Sequence, residues 1–529
     1  MIEQAGQGLQ HHFLIGVPVA DRPAHLRTCL ESIYQQCLLY GYGGRDAGGR
    51  TAKVTVIVAE DSREPENIAA HRMLVEEYCG KGLQVEHFDL PEQFRLLQAI
   101  SETERRQVER LLTTQPEERF YQKGQAANRN LCYLKMRQLT QIKDRTLYYL
   151  VDSDQSFLVN RQNASGEQQV AALNYFYYID RIFRTADVRM LTGKLVGDPP
   201  VSPAVMAANF LDDVAAFLAQ LSKCDPHGAC SFHAEAAALP ADAAYHDMAK
   251  LFGFDTRADH YDYRCPLADT HDHMACLERF ADRLHAFFFG EHLTRRTGFH
   301  YAGSFMDLSP ARTIYPGNYI VDFDGLKYII PFGHLRLRMS GPTAGRLIQA
   351  EIGARFASVN LPMLHGRTVT ADLRAEFRPG VERHPDAAVD ISDEFERQFF
   401  GDLMLFTVVA WLKENDLAGL SDATRLQPVV DQVENELLEL YAAKHRAVND
   451  RIAELEQWLA AAPQGWQGSP ALDKLAAFLR NMRSNFGDAA PAWRQIQSRA
   501  HRGARKRQIV DALANYRDER AAWDALFTR

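Results

Sequence analysis

The sequence predicts an α/β protein with a mainly parallel sheet, a helix-rich insertion and an α-helical C-terminal region. Over residues 1–160, short apolar runs alternate with segments of helical periodicity, which is the pattern of repeated strand–helix–strand units. The middle of the chain changes to helical stretches rich in histidine and aspartate, and after Ser392 the pattern is almost entirely helical. A chain of 529 residues is too long for one compact core, so we expect several structural units.

Apolar runs near the N-terminus predict the strands of the sheet. The first run is HHFLIGVPVA, and a helix follows in AHLRTCLESIYQQCLLY, where Leu26, Leu30 and Ile33 recur with helical spacing. KVTVIVAED, LQVEHFDL and TLYYLVDSD give the second, third and fourth strands. Helices between successive strands favour parallel pairing, and parallel sheets bind ligands at the carboxyl ends of their strands.

Changes in composition divide the chain into successive parts. Residues 1–165 carry the strand–helix alternation, and residues 166–300 form the insertion. Strand patterns return in residues 301–395, and residues 396–529 form the helical region. One long helix there carries an apolar face that predicts helix packing or a homo-oligomer. This face comprises Val430, Val433, Leu437, Tyr441, Val448, Ile452, Leu455 and Leu459.

Composition excludes several classes of protein. Hydrophobic residues make up 46% and charged residues 24%, as in ordinary soluble globular proteins. A net charge of -8 argues against nucleic-acid binding through bulk positive charge. No run approaches the roughly 20 apolar residues that span a bilayer, so we expect no transmembrane segment. The first strand begins near Phe13, which leaves no room for a signal peptide, and eight scattered cysteines favour reduced thiols in the cytoplasm.

Asp152 and Asp154 flank Ser153 directly after the apolar run that ends at Val151. Two carboxylates one residue apart at a strand exit can approach one hard divalent cation. Oxygen ligands suit Mg²⁺ or Mn²⁺, and such an ion stabilises the charge that develops on a leaving diphosphate. The alternative is an acidic turn at the end of a strand.

Four segments in this order resemble the family-two-like nucleotide-diphospho-sugar transferases of GT-A fold. They are FLIGVPVADRPAHLRTCLESIYQQ, VTVIVAEDSREPEN, KGQAANRN and YYLVDSDQSF. The resemblance implies a Rossmann-like core whose nucleotide-sugar-binding half is residues 1–165. Residues 166–300 would then face the acceptor, and residues 301–395 would complete the acceptor and metal half.

The resemblance also implies roles for individual residues on the donor side. Pro18 and Asp21 would lie beside the nucleoside, and Asp61 would accept hydrogen bonds from the base or ribose. Lys123 and Arg129 would donate to the diphosphate. The alternatives are a helix cap or turn for Asp61, and solvated surface charges for Lys123 and Arg129.

The metal site follows from the same resemblance. Asp152 would face the ribose and the metal, and Asp154 would be a direct ligand of Mn²⁺ or Mg²⁺. SGPTAGRLIQAEIGARFASVNLPMLHGRT is similar to the family's acceptor helix and the strand after it, with a Pro-x-x-His-x-Arg ending. In relatives that histidine often completes the metal shell, so His365 is the expected third ligand; a capping or core histidine is the alternative.

The acceptor helix departs from the family pattern. Inverting members place a Glu-Asp pair at its start, and the aspartate serves as general base. Here those positions read Gly341-Pro342-Thr343 and contain no carboxylate. Either the reaction retains configuration, as in the similar glucosyl-phosphoglycerate synthases, or the base lies elsewhere. Asp393 and Glu394 are candidates for a displaced base, with a helix cap as the alternative.

A group of cysteines and histidines in the insertion is a candidate zinc site. The group comprises Cys224, His227, Cys230, His233, Cys265, His271 and His273. Its spacings match no standard zinc knuckle. The group could equally line an acceptor pocket, as could Asp198 before its Pro-rich turn.

The leading hypothesis is a cytoplasmic, metal-dependent glycosyltransferase, most simply a hexosyltransferase. It would move a sugar from a nucleoside-diphosphate sugar to the hydroxyl of a small molecule or glycan. A nucleotidyltransferase acting on a sugar phosphate is a second hypothesis, but VPVADRPAHL lacks a Gly-rich phosphate loop. A non-catalytic scaffold is a third, although the acidic triplet is intact.

Overall fold

The computed structural model describes most of the chain, and all structural statements below concern these residues. The described residues are 10–163, 166–232, 262–267, 269–299, 303–314, 317–328, 331–368, 382–383 and 388–527.

The strands of the described residues confirm the predicted N-terminal alternation. They are β1 (His12–Val19), β2 (Val54–Glu60), β3 (Gln84–Phe88), β4 (Thr146–Leu150), β5 (Gln155–Ser156), β6 (Val159–Asn163), β7 (Gly166–Val170), β8 (Met190–Gly197), β9 (Leu308–Pro310), β10 (Tyr319–Val321), β11 (Phe356–His365), β12 (Glu382–Arg383) and β13 (Val389–Asp390).

The helices are α1 (Pro23–Tyr40), α2 (Pro65–Gly80), α3 (Leu90–Ala99), α4 (Glu102–Gln107), α5 (Gln125–Leu139), α6 (Tyr175–Thr185), α7 (Pro203–Leu221), α8 (His273–Arg283), α9 (Ser340–Ile352), α10 (Asp393–Glu414), α11 (Ala423–Ala460), α12 (Pro470–Phe486), α13 (Pro491–Gln497) and α14 (Arg499–Phe527). Short 3₁₀ turns connect several of them.

Nine strands form one mainly parallel sheet, as the sequence predicts. Its order is β3-β2-β1-β4-β10-β8-β11-β5, with β9 beside β11. Strands β1 to β4 pair in parallel, and β8 pairs in parallel with β11. Strand β10 is antiparallel to both β4 and β8, so β4 and β8 point the same way. The carboxyl ends of six strands therefore share one edge, and the predicted polar motifs follow those ends.

Helices cover both faces of the sheet. Phe13 and Ile15 of β1 belong to a core with α1, α2 and α6, whereas Leu14 belongs to a second core with α5 and α9. Successive strand residues point to opposite faces, so an apolar residue at every position is expected for a strand covered on both sides. Seven of the eight residues of β1 are buried.

The segment 166–300 contributes to two layers of the structure. Its strand β8 lies inside the main sheet between β10 and β11. Its helices α7 and α8 belong instead to a separate core with the C-terminal helices. The four-part division of the chain remains a sequence-based prediction.

Helix α7 is the one described helix that is long and apolar enough to cross a bilayer by length and composition. Its apolar window is 67% buried inside the protein, so its side chains pack in the core around Phe210 and Phe217.

The apolar face of α11 packs within the chain. Val430, Leu437 and Ile452 are each at most 3% exposed and share a core with α7, α10 and α12. The helix-packing interpretation is therefore confirmed. The homo-oligomer remains a prediction, without support from this face.

Candidate active site

The acidic motif lies in a tight turn at the centre of the shared strand edge. Strand β4 ends at Leu150, and the amide of Gln155 donates to the carbonyl of Asp152 at 3.0 Å to close the turn. The side chains of Asp152 and Asp154 are 18% and 8% exposed. Both carboxylates are thus held in a mostly dry position, where each needs a cationic partner.

Cationic side chains surround Asp154. Its Oδ2 accepts a hydrogen bond from Nη1 of Arg22 at 3.0 Å and lies 3.5 Å from Nε2 of His365 and 3.8 Å from Nη1 of Arg367. Burial disfavours the charged carboxylate. His365, Arg22 and Arg367 outweigh burial and hold the pKa of Asp154 well below its usual range, so this group stays ionised.

The other carboxylate oxygen of Asp154 would need a partner to offset its burial. Oδ1 is buried and has no hydrogen-bond partner among the residues that the structure describes. A buried carboxylate oxygen without a partner is costly, and a cation is the natural group to satisfy it. This atom fits the divalent ion that the sequence predicts at Asp154.

His365 is oriented as a metal ligand is expected to be. It ends β11, and its Nδ1 lies 2.7 Å from the backbone carbonyl of Asp198. Since a carbonyl only accepts, Nδ1 donates to it, and Nε2 is left facing Asp154 as the ring nitrogen that a metal would bind in place of a proton. Two ligands of one Mg²⁺ are about 3 Å apart, close to the 3.5 Å between Nε2 and Oδ2 of Asp154. The residues present therefore fit a divalent ion.

Asp152 pairs with a buried arginine of α5. Nη2 of Arg129 donates to Oδ1 of Asp152, and the Arg129 side chain is only 3% exposed. The alternative that Arg129 is a solvated surface charge is wrong. Burial and the negative charge of Asp154 raise the pKa of Asp152, whereas the positive charge of Arg129 lowers it. The two carboxylates thus differ in acidity, and Asp154 is the more firmly ionised.

Lys123 and Asp61 form a second ion pair at the end of β2. Nζ of Lys123 lies 2.6 Å from Oδ1 of Asp61 and donates to the carbonyl of Glu60 at 3.1 Å. The Lys123 side chain is 0% exposed, so it is not a solvated surface charge. Burial raises the pKa of Asp61 to about 6 against the opposing effect of Lys123. Helix α2 has Glu64 as its N-cap, so Asp61 is not that cap.

The neighbouring Glu60 has a structural role that its position in the sequence does not reveal. Its carboxylate accepts from Nδ1 of His71 at 2.9 Å and from Nε2 of His87 at 3.2 Å. The amides of Asp61 and Ser62 also donate to it. Burial opposes ionisation, but these hydrogen bonds hold the pKa of Glu60 well below its usual range. Glu60 thereby fixes the turn that presents Asp61.

Asp21 anchors the turn after β1. Its carboxylate accepts from the amides of Arg63 and Glu64, each at 3.0 Å, and from Nδ2 of Asn67 at 3.1 Å. Asp21 also has a left-handed backbone (φ 51°), which turns the chain so that Arg22 reaches Asp154. Contact between Asp21 and the nucleoside stays a prediction, but its carboxylate is already engaged in positioning this loop.

Pro18 is buried within β1, opposite Ala59 of β2. It lies four positions before Arg22 and fixes the backbone shortly before the turn. Its predicted place beside the nucleoside also remains a prediction.

Asp393 and Glu394 lie at the start of α10. Oε2 of Glu394 accepts from the hydroxyl of Ser202 at 2.6 Å and from Nε of Arg338 at 2.8 Å, and Arg338 also contacts Oε1. Asp393 is exposed. A base role for either residue remains a prediction.

Several site residues carry no assigned role in the sequence prediction. Arg22 lies in the first of the four family-like segments, FLIGVPVADRPAHLRTCLESIYQQ, and Arg367 ends the Pro-x-x-His-x-Arg pattern. The structure brings these two arginines, 345 positions apart, to within 3.3 Å through Nη2 of Arg22 and the carbonyl of Arg367.

Asp198 supports the site from the end of β8. Its backbone carbonyl accepts a hydrogen bond from Nδ1 of His365. Its carboxylate accepts from the amide of Arg367 at 2.8 Å and from Nη1 of Arg296. Glu291 lies nearby. Burial and the charge of Asp198 raise the pKa of Glu291, and Arg283 opposes them. No sequence pattern links these residues, because they meet only in the folded chain.

Comparisons with known proteins are sparse. No protein-family model matches the sequence, and no curated protein matches it. Among solved structures, one similarity is to the crystal structure of S. aureus TarS 1-349, at 12% sequence identity. It covers 93% of this chain and 92% of that chain with a TM-score of 0.28. A TM-score this low supports no conclusion about fold or function.

Proposed function

We propose that this protein is a metal-dependent glycosyltransferase that uses a nucleoside-diphosphate sugar as donor. One observation carries the proposal: Oδ1 of Asp154 is buried without a hydrogen-bond partner among the described residues, beside a histidine that the carbonyl of Asp198 orients. This pair stands at the carboxyl edge of a mainly parallel sheet, where such folds bind nucleotides.

Asp154 and His365 would hold the divalent ion, with Asp152 as the further carboxylate. When bound, Mn²⁺ or Mg²⁺ neutralises charge on the diphosphate as it leaves the sugar. Two carboxylates and one imidazole would suit either ion, and phosphate oxygens and water would supply the remaining ligands.

The arginines would bind the diphosphate directly. Arg22 and Arg367 both approach Oδ2 of Asp154, at 3.0 and 3.8 Å, and their guanidinium groups are largely buried. Guanidinium forks match phosphate oxygens, and dry surroundings strengthen such contacts. These cations neutralise Asp154, so binding a donor with its metal would exchange one set of charge pairs for another.

Asp61 would receive the nucleoside at the neighbouring strand end. Lys123 fixes one carboxylate oxygen through the contact at 2.6 Å. The ionised carboxylate accepts hydrogen bonds from hydroxyl or amide donors, as ribose and several bases offer. Asp61 must lose its proton for this role, which ties donor binding to its pKa of about 6.

The acceptor half favours a retaining reaction. Helix α9 begins at Ser340 without a carboxylate, and the hydroxyl of Thr343 donates to the carbonyl of Met339 at 2.8 Å. Glu394 already bonds to Ser202 and Arg338. A retaining transfer needs no general base at the start of α9, whereas an inverting one needs a base from another position.

A ligand panel tests the proposal. Thermal unfolding is measured with UDP-, GDP-, ADP- and dTDP-sugars, each with and without Mn²⁺. A ligand that binds only the folded state raises apparent stability by about 2.7 kcal/mol at a concentration of about 100 dissociation constants. We expect one nucleotide class to stabilise the protein, and more strongly with Mn²⁺. Equal responses to all four, or none at all, would contradict the proposal.

A further inference from the structure

Three thiols meet in the insertion, far along the chain from the acidic motif, and one imidazole lies beside them. The Sγ atoms of Cys230, Cys265 and Cys276 all lie within 4.8 Å of one another. Nε2 of His271 lies 3.2 Å from Sγ of Cys265. All eight cysteines of the chain are described, and none forms a disulfide.

This spacing suits zinc. A tetrahedral Zn²⁺ with sulfur ligands at about 2.3 Å and a nitrogen ligand at about 2.0 Å has its sulfur atoms about 3.8 Å apart. The observed upper limit of 4.8 Å therefore requires shifts of about 1 Å or less to bring the thiols onto one ion. Three cysteines and one histidine are a standard structural ligand set, with no position left open for substrate.

Backbone hydrogen bonds bring the ligands together independently of any ion. The amide of Cys230 donates to the carbonyl of His271 at 2.9 Å, and the amide of Cys265 donates to the carbonyl of Phe232 at 3.2 Å. A β-bridge joins Ala229 to Asp272 beside the first of these. The ligands come from two loops that are already paired.

Helix α8 supplies the last thiol. Asp272 caps this helix by accepting from the amide of Ala275 at 2.8 Å, which places Cys276 in the first helical turn. Cys276 is 0% exposed. Cysteine binds metal as the thiolate, so an ion here would displace the proton of this buried thiol.

The imidazole of His271 is oriented by a second contact. Its Nδ1 lies 2.6 Å from the backbone carbonyl of Asp269. Because that carbonyl only accepts, Nδ1 carries the proton and the lone pair of Nε2 faces Sγ of Cys265. Zinc-bound histidines are commonly held in this way by a carbonyl or carboxylate.

Other members of the wider cysteine and histidine group are directed elsewhere. His227 is 77% exposed and pairs with Asp272 at 3.3 Å. His273 lies 2.8 Å from the carbonyl of Asp225 and 3.0 Å from the hydroxyl of Ser231. Sγ of Cys224 donates to the carbonyl of Gln220 at 3.6 Å. His233 lies outside the described residues.

We propose that Cys230, Cys265, His271 and Cys276 bind one structural zinc ion. The ion would join the two loops to the first turn of α8. Directly beneath them, Tyr263 and Phe280 pack at 4.8 Å and Phe280 and Phe217 of α7 pack at 4.4 Å. Zinc would thereby fix the insertion onto the helical core. This proposal does not depend on the proposed glycosyltransferase activity.

Metal analysis of the full, untagged chain tests the site. Purified under reducing conditions, the wild-type protein should contain about one zinc ion per chain. Cys265→Ser and Cys276→Ser should each reduce this to about one tenth or less. Cys224→Ser is the matched control, a thiol of the same insertion outside the cluster, and should keep the full zinc content. Asp154→Ala should keep it as well, which separates this site from the acidic motif.

A measurement on the wild-type protein covers the case in which the serine variants fail to fold. X-ray absorption at the zinc edge should give three sulfur ligands at about 2.3 Å and one nitrogen at about 2.0 Å. Chelation should lower the unfolding temperature, and added Zn²⁺ should restore it. Reduced protein that purifies without zinc and does not respond to added Zn²⁺ would overturn the proposal. So would an oxygen-rich zinc environment, or a disulfide among the three cysteines that persists under reducing conditions.

Discussion

Nε2 of His365 lies 3.5 Å from Oδ2 of Asp154, although 211 positions separate the two residues in the sequence. The contact exists because β11 and the turn after β4 meet at one edge of the sheet, where His365 pairs with Gln155 of β5. Both partners are at most 8% exposed. The pair joins the N-terminal half of the sheet to its last strand at the position expected for a bound ion.

Replacing His365 tests its role as a ligand. We expect His365→Ala to weaken Mn²⁺ binding by at least about 10-fold, because even the loss of a group that only supports a ligand costs that much. The measurement is a Mn²⁺ titration of donor hydrolysis and of thermal stability. His334→Ala, an exposed histidine outside the site, is the control. Equal Mn²⁺ affinity in the two variants would remove His365 from the metal site.

Donor binding should depend on pH through Asp61. Its pKa is raised to about 6, so the ionised form that accepts hydrogen bonds from the nucleoside predominates above that pH and is lost below it. The KM for the donor should therefore rise as pH falls through about 6. Lys123→Met removes the charge that favours ionisation and should move this midpoint to higher pH. Lys143→Met, an exposed lysine before β4, should leave it in place. A KM that is independent of pH in this range would contradict the role of Asp61.

The ion pair of Asp213 and Arg295 should matter for stability. Both side chains are at most 2% exposed, and the guanidinium contacts both carboxylate oxygens, at 2.8 and 3.0 Å. Removing one partner of a buried pair costs about 3–5 kcal/mol, since the other charge stays buried. Asp213→Ala should show this loss in chemical unfolding. Its neighbour Asp212 is 50% exposed and pairs with Arg451 at 2.7 Å, so Asp212→Ala should cost about 0–1 kcal/mol. Equal losses in the two variants would contradict the prediction.

Glu394→Gln separates a structural role from a catalytic one. The carboxylate bonds to Arg338 and Ser202, so its loss should lower the free energy of unfolding by about 1.5–3 kcal/mol. Turnover should then fall only with the folded fraction, and its pH profile should keep its shape. A large loss of kcat at full stability would instead identify Glu394 as the general base.

The parts of the fold that depend on local pattern could be predicted from the sequence. Apolar runs between helical segments predict β1 to β4, and the acidic motif follows the end of β4 in the structure as predicted. Strand β8 is not predicted, since it falls in the segment assigned to the helix-rich insertion and MLTGKLVG mixes two glycines and a lysine with its apolar residues. It forms a strand through its place between β10 and β11, which no local pattern encodes.

Side-chain partnerships were the less predictable part of the site. The sequence indicates a role for Asp21 but not that two amides of the β2–α2 turn and the side chain of Asn67 in α2 already engage its carboxylate. The wider cysteine and histidine group also omitted Cys276, since a cysteine in a helical pattern resembles an ordinary core residue. Only the packing of α8 brings its thiol to Cys230 and Cys265.

The most direct test of the central claim compares Asp154→Ala with Asp144→Ala. Asp144 is an exposed carboxylate at the other end of β4, so it controls for loss of one negative charge near the same strand. Hydrolysis of the stabilising nucleotide sugar is measured over a Mn²⁺ titration. We predict that Asp154→Ala abolishes Mn²⁺-dependent turnover, whereas Asp144→Ala retains the wild-type titration. Unchanged Mn²⁺-dependent turnover in Asp154→Ala would contradict the account.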